Sequence, residues 1–413
     1  IIENKITTYR GDGIFLASSN LNTITRNNIT ANRVGVFLGF SSGNNLIAGN
    51  VIAKNDLGID LGGSYDNNVT ENNITANPYG GIVLSESSSN NNIIENTFTN
   101  DGLFVEDSYL NLVENNTVNG KPLVYLENIA NYNISDAGQV ILIKCNNIRV
   151  ENLNLSATSV GVQLCGTTNA IISGNRIANN WHGISLQYSS GNIIAGNIIV
   201  ANNFGIMLTR SNHNTITRNN ITANEQDGIS LSYSHYNNIN ANTITNNDYG
   251  IKLSYCTNNT IYHNDFIDNR QQASATFGDP NNWDDGFPSG GNFWSDYKKR
   301  YPDATEFKDS GIWNRPYVIS QSNQDRYPLV RPFTVSILTI ISDPWQDPPP
   351  ENVQPYQNVT VWVNVTDYGS GIKNVTLWYS LDNGTSWEIP INMTALPIPS
   401  DTTITYEATI PGY

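Results

Sequence analysis

Two acidic and two basic residues have the types and the spacing that polysaccharide chemistry requires. Asp227 and Asp248 are 21 residues apart, and a glycoside hydrolase needs two carboxylates that face one bond at about 5–9.5 Å. A lyase or epimerase needs a base and also a cation that neutralises a uronate, which Arg210 or Lys252 would supply. These four residues form the candidate catalytic set if the chain is an enzyme.

Aromatic residues recur at a second regular position and could hold a sugar chain. The series has a spacing of 22 or 23 residues and consists of Tyr188, Arg210, Tyr233 and Tyr255. If these side chains point outward, they form a ladder of three rings and one guanidinium on which sugar rings stack. His182 and Trp181 would border the same face. A plain solvated stripe is the alternative interpretation of the series.

These residues are positioned by a repeat with a period in the low twenties. The phrase Gly-Ile-x-Leu returns along the chain, and its glycines are Gly13, Gly35, Gly58, Gly81, Gly102, Gly161, Gly183, Gly205, Gly228 and Gly250. Degenerate copies at 122–126 and 139–143 fill the one long gap. A fixed period of this length is typical of a solenoid.

Asparagine and isoleucine recur inside each repeat and indicate short strands. Asparagine follows most of the glycines by nine residues, as at Asn22 and Asn214, and often again near the fourteenth, as at Asn27 and Asn219. Three strands separated by Asn and Gly corners fit each repeat. The sequence therefore predicts an all-β, right-handed, single-stranded parallel β-helix of about 12 coils, with asparagine ladders and one continuous core column.

Composition excludes several classes of protein. Charged residues make up 14% of the chain and the net charge is −15, so a nucleic-acid partner is not expected, since it requires a basic patch. No run of 18 apolar residues is present, and none of the chain is expected to span a membrane.

The chain opens and closes inside recognisable elements. We therefore expect that the natural protein extends further at both ends and that any export signal lies outside this sequence.

The chain divides into three predicted segments. Residues 1–268 are the β-helix and residues 269–332 are a cap rich in aromatic residues, because the end of a solenoid exposes an apolar column and unpaired strand edges. Residues 333–413 alternate apolar and polar residues, which predicts an antiparallel sandwich. Its sequons are candidate glycosylation sites: Asn358, Asn364, Asn374, Asn383 and Asn392.

The coils, together with the segments GGNFWSDY and RPYVI…DRYPL, resemble the NosD-like periplasmic copper-binding repeat family. That family belongs to the broader group of carbohydrate-binding and sugar-hydrolase β-helices, and the resemblance covers about residues 1–332. The C-terminal segment resembles the immunoglobulin-like modules of archaeal surface proteins. The resemblance implies a protein outside the cytoplasm.

The family resemblance also raises the question of metals. Copper handling is implied by the family name, but soft copper sites favour Met, Cys and clustered His. The sequence offers His213 and His235, 22 residues apart, and two methionines. Relatives carry an Asp- and Gly-rich run that is shortened here to 308–312, which weakens any structural calcium site. We therefore expect no metal site and no cofactor, with structural calcium as an alternative.

Three functions remain open from the sequence. The first is an extracellular or cell-surface structural protein that binds a polysaccharide or other glycan and assembles with like subunits in a surface layer or filament. The second is a lyase, hydrolase or epimerase that acts on an acidic polysaccharide. The third is a copper-handling protein.

Overall fold

The computed structural model of the protein describes residues 1–278, 280–308, 310–333, 339–341, 344–354, 356–367, 375–377, 391–396 and 403–411. The chain forms two compact units, Ile1–Phe333 and Thr334–Tyr413. The larger unit carries the repeat, the aromatic segment and every predicted ligand-contacting residue.

The larger unit is a parallel β-helix of about 12 turns, which confirms the predicted fold class. Each repeat contributes three short strands, and each strand pairs with its equivalent one repeat away. Ile206, for example, is in register with Ile229, which is in register with Ile251. Alternate residues of a strand point to opposite faces, so the isoleucines and leucines of the repeat stack inward as columns.

The turns are divided between two stacks, which is a finding that the sequence did not reveal. Apolar residues of repeats before Val118 form one buried cluster, and most of those after Ile134 form another. The predicted single continuous core column is therefore wrong. We call these parts the first stack (residues 1–118) and the second stack (residues 121–276).

The first stack has three parallel sheets. Its glycine sheet, which begins at the repeat glycines, contains Ile14–Ala17, Val34–Gly39, Leu57–Gly62, Ile82–Ser85 and Leu103–Val105. Its middle sheet contains Thr23–Thr25, Leu46–Ala48, Asn68–Thr70, Asn92–Ile94 and Leu112–Glu114. Its closing sheet contains Lys5–Ile6, Asn28–Thr30, Val51–Ala53, Asn73–Thr75, Thr97–Thr99 and Thr117–Val118.

The second stack repeats the arrangement. Its glycine sheet contains Lys121–Glu127, Gln139–Ile143, Val160–Cys165, His182–Gln187, Phe204–Thr209, Asp227–Ser232, Tyr249–Ser254 and Gln271–Thr276. Its middle sheet contains Ala130–Ile134, Asn146–Glu151, Ile171–Ser173, Ile193–Ala195, Thr215–Thr217, Asn238–Asn240 and Thr260–Tyr262. Its closing sheet contains Asn154–Ser156, Arg176–Ala178, Ile198–Val200, Asn220–Thr222, Thr243–Thr245, Asp265–Ile267 and Phe293–Trp294.

A two-residue hairpin separates the stacks. Thr117–Val118 pairs antiparallel with the start of Lys121–Glu127, and the connecting residues Asn119 and Gly120 have φ of 52° and 80°. Both values lie in the left-handed region that a type I′ turn requires, and Asn-Gly is the preferred pair for it. The chain thus reverses direction after the first stack instead of adding another parallel coil.

The end of the first stack lies against the outer face of the second. Ile141, Ile143 and Cys165 belong to strands of the second stack but are buried in the core cluster of the first. The amide side chains of Gln139 and Gln163 each exchange two hydrogen bonds with the backbone of Leu103 and Val105, at 2.6–3.2 Å. Two glutamines thus occupy the place of the next strand and satisfy the edge of the first glycine sheet.

Asparagine ladders follow the corners of both stacks, as predicted. Asn219 is representative: its Nδ2 donates to Asn242 Oδ1 at 2.9 Å and to the Ile194 carbonyl at 2.9 Å, while its backbone N–H donates to the same Asn242 oxygen at 3.0 Å. A third ladder, which was not predicted, contains Asn180, Asn202, Asn224, Asn247 and Asn269. The ladders satisfy corner groups that would otherwise be buried without partners.

The predicted aromatic cap covers the far end of the second stack. Trp294 stacks on Phe266 of the last coil at 4.5 Å between centroids, and Tyr317 stacks on Trp294 at 4.1 Å. Trp283 is fully buried beside them. The cap contains the helix Tyr297–Arg300 and the hairpin strands Tyr317–Ser320 and Asn323–Asp325. Asp279 and Asp309 lie outside the described residues. The boundary at 268 stays a prediction.

The smaller unit contains antiparallel sheets, and its immunoglobulin-like character stays a prediction. Its described elements are Thr339–Ile341, Trp345–Asp347, the 3-10 turn Pro350–Asn352, Val359–Asp367, Thr376–Leu377, Ile391–Asn392, Thr394–Ala395 and Thr403–Ile410. The long strands Val359–Asp367 and Thr403–Ile410 pair with each other. Val363, Val365 and Tyr406 form the small core.

The inward column gives a direct test of the register. Leu231 is 1% exposed and stacks between Leu208 and Leu253. We expect Leu231→Asp to lower the free energy of unfolding by several kcal/mol, because an unpaired charge is placed in an apolar core. Circular dichroism melting measures the effect. Ser232→Asp, one residue later on the outward face, is the matched control, and equal melting temperatures for the two variants would contradict the register.

Candidate functional site

The predicted aromatic ladder exists and lies along one edge of the second stack. Arg210 lies between Tyr188 and Tyr233, with its guanidinium carbon 5.5 and 5.9 Å from their ring centroids, and it donates a hydrogen bond to the Tyr188 hydroxyl. Tyr233 and Tyr255 are parallel within 1° at 4.7 Å between centroids. Phe277, which sequence reasoning did not include, extends the series at 5.1 Å from Tyr255.

This stacking changes what the ladder can bind. The tyrosines are 40–46% exposed, but Tyr233 and Tyr255 each have a ladder neighbour on both sides. Tyr188, the first of the series, has Arg210 on one side. A sugar binds an aromatic side chain through the ring face, whereas this ladder presents mainly ring edges and hydroxyl groups. Phe277, at the end of the ladder, is 73% exposed. The ring faces within the ladder are therefore used mainly for stacking on one another, and few of them are left for a sugar.

The two predicted catalytic acids lie in neighbouring coils and have different surroundings. Asp227 is 4% exposed and in register with Tyr249, and burial raises its pKa. Asp248 is paired with Arg270, whose hydrogen bonds lower the pKa of that carboxyl. The chain thus holds Asp248 as an ion-pair partner, and that pairing occupies the carboxylate that a hydrolase would need.

The two predicted cations differ in their position relative to these acids. The charge of Lys252 partly opposes the rise that burial causes in the pKa of Asp227, so Lys252 lies near that carboxyl. Lys252 Nζ lies 5.0 Å from the Tyr249 ring centroid and is in register with Ser230, three residues beyond Asp227. Arg210 follows the end of its strand, whereas Asp227 begins the next one. At about 3.3 Å per residue, six residues of extended chain separate the columns of Arg210 and Asp227 by roughly 20 Å. Arg210 therefore cannot share one site with Asp227.

The two stacks enclose a cleft at their junction, which we call the junction cleft. Its volume is about 390 Å³. The first stack contributes Asn77, Pro78, Asn100 and Asp101; the second contributes Ala157, Thr158, Ser159, Asn179, Asn180, Trp181, Ala201, Asn203 and Glu225. Asn119 of the hairpin ties the two sides together, because its Oδ1 accepts from the Asn100 backbone while its Nδ2 donates to the Ser156 and Ala157 carbonyls.

Trp181 and His182, both predicted to contact a ligand, lie beside this junction. Trp181 lines the cleft and meets Tyr79 of the first stack at 5.0 Å in a T-shaped contact. Its contacts with His182 and Phe204 are also T-shaped, so no described ring lies parallel on it. The His182 ring lies between Phe104 and Phe204, and burial lowers its pKa to about 4. His182 is thus neutral at pH 7.

Two hydroxyl groups of the cleft wall have no hydrogen-bond partner in the described structure. They are Thr158 Oγ1 and Ser159 Oγ, on residues that are each 5% exposed. Leaving such a group unsatisfied typically costs 1–3 kcal/mol. A hypothetical Cβ on Gly102 would lie 2.1 Å from Thr158 Oγ1, so glycine there permits the close approach of the stacks.

Asp101 forms part of the cleft wall and ends an asparagine ladder. Its Oδ2 accepts from the backbone and side-chain nitrogens of Asn77 at 2.9 and 2.7 Å, and its Oδ1 accepts from the Gly102 N–H at 3.0 Å. Burial raises the pKa of its carboxyl to about 7, against the opposing effect of these three bonds. Asp101 is therefore a buried acid that titrates near neutral pH.

The four histidines do not form a metal site. His235 Nδ1 lies 3.0 Å from Thr257 Oγ1, and His213 stacks on Tyr236 at 5.2 Å, so the two predicted neighbours face different partners. His263 stacks on Phe333. In the part of the chain that the structure describes, no group of three His, Cys, Asp or Glu side chains is arranged to hold a metal.

The glycosylation candidates fall in the smaller unit. Asn358 and Asn392 are exposed and Asn364 is half-buried, with its Oδ1 accepting from Thr405 at 2.6 Å. Asn374 and Asn383 lie outside the described residues. Glycosylation of these positions stays a prediction.

Sequence reasoning found Trp181 but missed the residues that complete the cleft. Asp101, Thr158 and Ser159 belong to separate stacks, and only the reversal at Asn119-Gly120 brings the first of these near the other two. That dipeptide is the one local signal of the reversal. The two stacks meet through contacts between residues far apart in the sequence, such as Leu103 with Gln139 and Val105 with Gln163. Such contacts leave no local sequence pattern.

Comparisons with known proteins agree with the fold. The family model described as "Periplasmic copper-binding protein (NosD)" matches residues 1–126 and 120–299. No curated protein matches the sequence. Among helices of the described residues, none is long and apolar enough to cross a membrane.

Similar solved structures have low identity to this chain. A double mutant of the periplasmic alginate epimerase AlgG is 16% identical over 67% of this chain and 75% of that chain, with a TM-score of 0.33. The A-module of Azotobacter vinelandii mannuronan C-5 epimerase AlgE4 is 13% identical over 64% and 87%, with a TM-score of 0.29. PfbA, a surface adhesin of Streptococcus pneumoniae, is 15% identical over 67% and 82%, with a TM-score of 0.27. None of them assigns a ligand to this chain.

Asp101 makes stability depend on pH. Its pKa is about 7 when folded and near 3.8 when unfolded, so the folded state binds the proton more tightly. The contribution is present in full below pH 3.8 and is lost as pH rises through 7. Between pH 6 and 8 we expect a loss of about 1 kcal/mol. His182 has the opposite effect on stability. Because burial lowers its pKa to about 4, its contribution to stability rises with pH, mainly below pH 6.5.

The comparison of two pH profiles isolates this effect. Chemical unfolding of the parent and of Asp101→Asn at pH 6, 7 and 8 gives the slope of stability against pH for each. The variant should show the shallower fall, whatever its absolute stability, because asparagine does not titrate. Equal slopes would show that Asp101 is ionised throughout this range.

Proposed function

The chain belongs to the NosD family, and from that premise we propose that it is a protein of the cell exterior that binds a polysaccharide chain in the junction cleft. The observation that carries the proposal is the combination of Trp181 with the unpaired Thr158 and Ser159 hydroxyls in one cleft of about 390 Å³. The remainder of the cleft wall is dominated by asparagine amides.

This combination suits a sugar better than other ligands. A pyranose has an apolar face of C–H groups and a rim of hydroxyls, so it both stacks on an aromatic ring and exchanges hydrogen bonds. Trp181 has no parallel ring on it, unlike Tyr233 and Tyr255. The hydroxyl oxygens of Thr158 and Ser159 are buried in the present structure. Because no hydrogen bond fixes these side chains, we propose that each turns its hydroxyl toward a ligand in the cleft and gains the bond it lacks.

The copper named in the family description does not suit the described donors. Thiolate, thioether and clustered imidazole ligands favour copper, but Cys145, Cys165 and Cys256 are buried singly, and the histidine rings face separate partners. We derive no function through copper from these residues.

Polysaccharide turnover is the second candidate, and the predicted acids favour it less than binding. Asp248 is held by Arg270, and Arg210 lies roughly 20 Å from the column of Asp227. Binding needs no group beyond those in the cleft, whereas turnover by Asp227 and Asp248 would require Asp248 to be released from its ion pair with Arg270. Assays for new reducing ends and for absorbance at 235 nm distinguish the two.

A location outside the cytoplasm suits both the family and the ligand. The three cysteines are free and buried, so the fold depends on its ladders and not on disulfide bonds.

Assembly of like subunits into a layer or filament remains a separate proposal, which analytical ultracentrifugation across a concentration series would test.

The binding proposal is tested by comparing two aromatic sites. A glycan array and then titration calorimetry on each hit measure binding by the parent, Trp181→Ala, and the double variant Tyr233→Ala/Tyr255→Ala. We expect Trp181→Ala to weaken binding by tenfold or more, since a lost stacking contact is worth about 1 kcal/mol and its hydrogen bonds depend on the same pose. The double variant should stay within about twofold of the parent.

The opposite pattern would place the ligand on the ladder. If the tyrosine variant loses binding while Trp181→Ala keeps it, the junction cleft is not the glycan site. If product accumulates with the parent, the protein is an enzyme and the binding interpretation is incomplete.

A further inference from the structure

We propose that the junction cleft selects glycan chains without carboxylate groups, that is, neutral hexose polymers, and rejects polyuronates. The inference rests on the proposed function and names its substrate class. It is carried by the charges around the cleft: Asp101 and Glu225 line it, and none of its lining residues is Arg, Lys or His.

A polyuronate would meet repulsion at this site. It carries one negative charge per sugar, and binding would bring those charges beside Glu225 at the rim. Like charges brought together at an interface are strongly unfavourable. The whole chain adds to the effect, because its net charge of −15 opposes the approach of any polyanion.

The cations that could have neutralised a uronate are already engaged outside the cleft. Arg210 lies between two tyrosine rings of the ladder, and Lys252 lies over Tyr249. Arg270 is paired with Asp248. A uronate-specific site would be expected to place at least one such cation against the sugar carboxylate.

Hydrogen-bond chemistry leads to the same class. Carboxylates such as Glu225 only accept, and asparagine amides both donate and accept. Sugar hydroxyls supply both functions, so each meets a complementary group in this wall. A uronate carboxylate only accepts, so it can bond to the asparagine amides but finds no donor in the exposed Glu225, to which a sugar hydroxyl can donate.

Matched pairs of hexasaccharides test the inference. The pairs share linkage and differ at C6: β-1,4-mannan with β-1,4-mannuronan, cellulose with β-1,4-glucuronan, and methyl-esterified with free α-1,4-polygalacturonate. Calorimetry at low and high salt measures each affinity. In every pair that binds, we expect the uncharged member to bind at least tenfold more tightly and with little dependence on salt. The uronate should bind more tightly as salt screens its repulsion.

A charge reversal then tests the cause. Glu225→Lys should shift the ratio of uronate to neutral affinity by at least tenfold toward the uronate. Glu114→Lys changes the total charge equally on an exposed strand of the first stack and should leave the ratio unchanged. Equal shifts from both variants would attribute the effect to net charge and would overturn selection by the cleft.

The outcomes distinguish a failure of the proposed selectivity from a failure of glycan binding itself. If a uronate binds as tightly as its neutral partner and Trp181→Ala abolishes its binding, the cleft is a glycan site but the selectivity is wrong. If no member of any pair binds, the proposed function fails and the inference with it.

Discussion

The fold depends on how backbone groups at the corners of each coil are satisfied. Strand residues pair with the coils on either side, but a corner buries N–H and carbonyl groups whose partners cannot come from a sheet. An asparagine side chain meets this need on both sides at once. Asn219, for example, receives the backbone N–H of Asn197, donates to Asn242 and donates to a carbonyl of the preceding coil. The regular spacing of asparagine therefore follows from the need to satisfy these corner groups.

The same requirement explains the carboxylates where ladders stop. One ladder of the first stack ends at Asp101, and one ladder of the second stack ends in the cap at Asp325. A last rung has donors arriving from one side and no further rung to receive its own amide hydrogens. An acceptor-only side chain suits that position, and each acid receives three hydrogen bonds. Burial raises both pKa values to about 7, so these ends are sensitive to pH near neutrality.

The sequence predicts the structural features that recur in every coil, but it does not predict the junction of the two stacks, which occurs once. The glycine, isoleucine and asparagine columns recur at fixed offsets, so the coil, its inward face and two of its ladders follow from spacing alone. The aromatic cap is also predictable, because Trp283 and Trp294 follow the last repeat and an apolar column needs a cover. The junction occurs once. It depends on Asn119-Gly120 and on two glutamines. Gln139 lies in a degenerate repeat and Gln163 lies at the variable position of the Gly161 repeat, so neither spacing reveals their role as a substitute strand. Two adjacent residues encode the reversal, whereas the surface that the first stack contacts is built from residues far apart in the sequence.

Regular spacing also predicts aromatic ladders better than it predicts what they bind. A column repeated at one coil per rung places rings about 4.8 Å apart, which is close to the distance at which aromatic rings stack on each other. The rings in such a column therefore satisfy one another, as Tyr233 and Tyr255 do at 4.7 Å. A free aromatic face is more easily left where the repeat is broken. Trp181 makes edge contacts there with rings of both stacks. The irregular part of this solenoid, and not its most regular surface, therefore holds an aromatic ring without a parallel neighbour close to two unpaired hydroxyl groups.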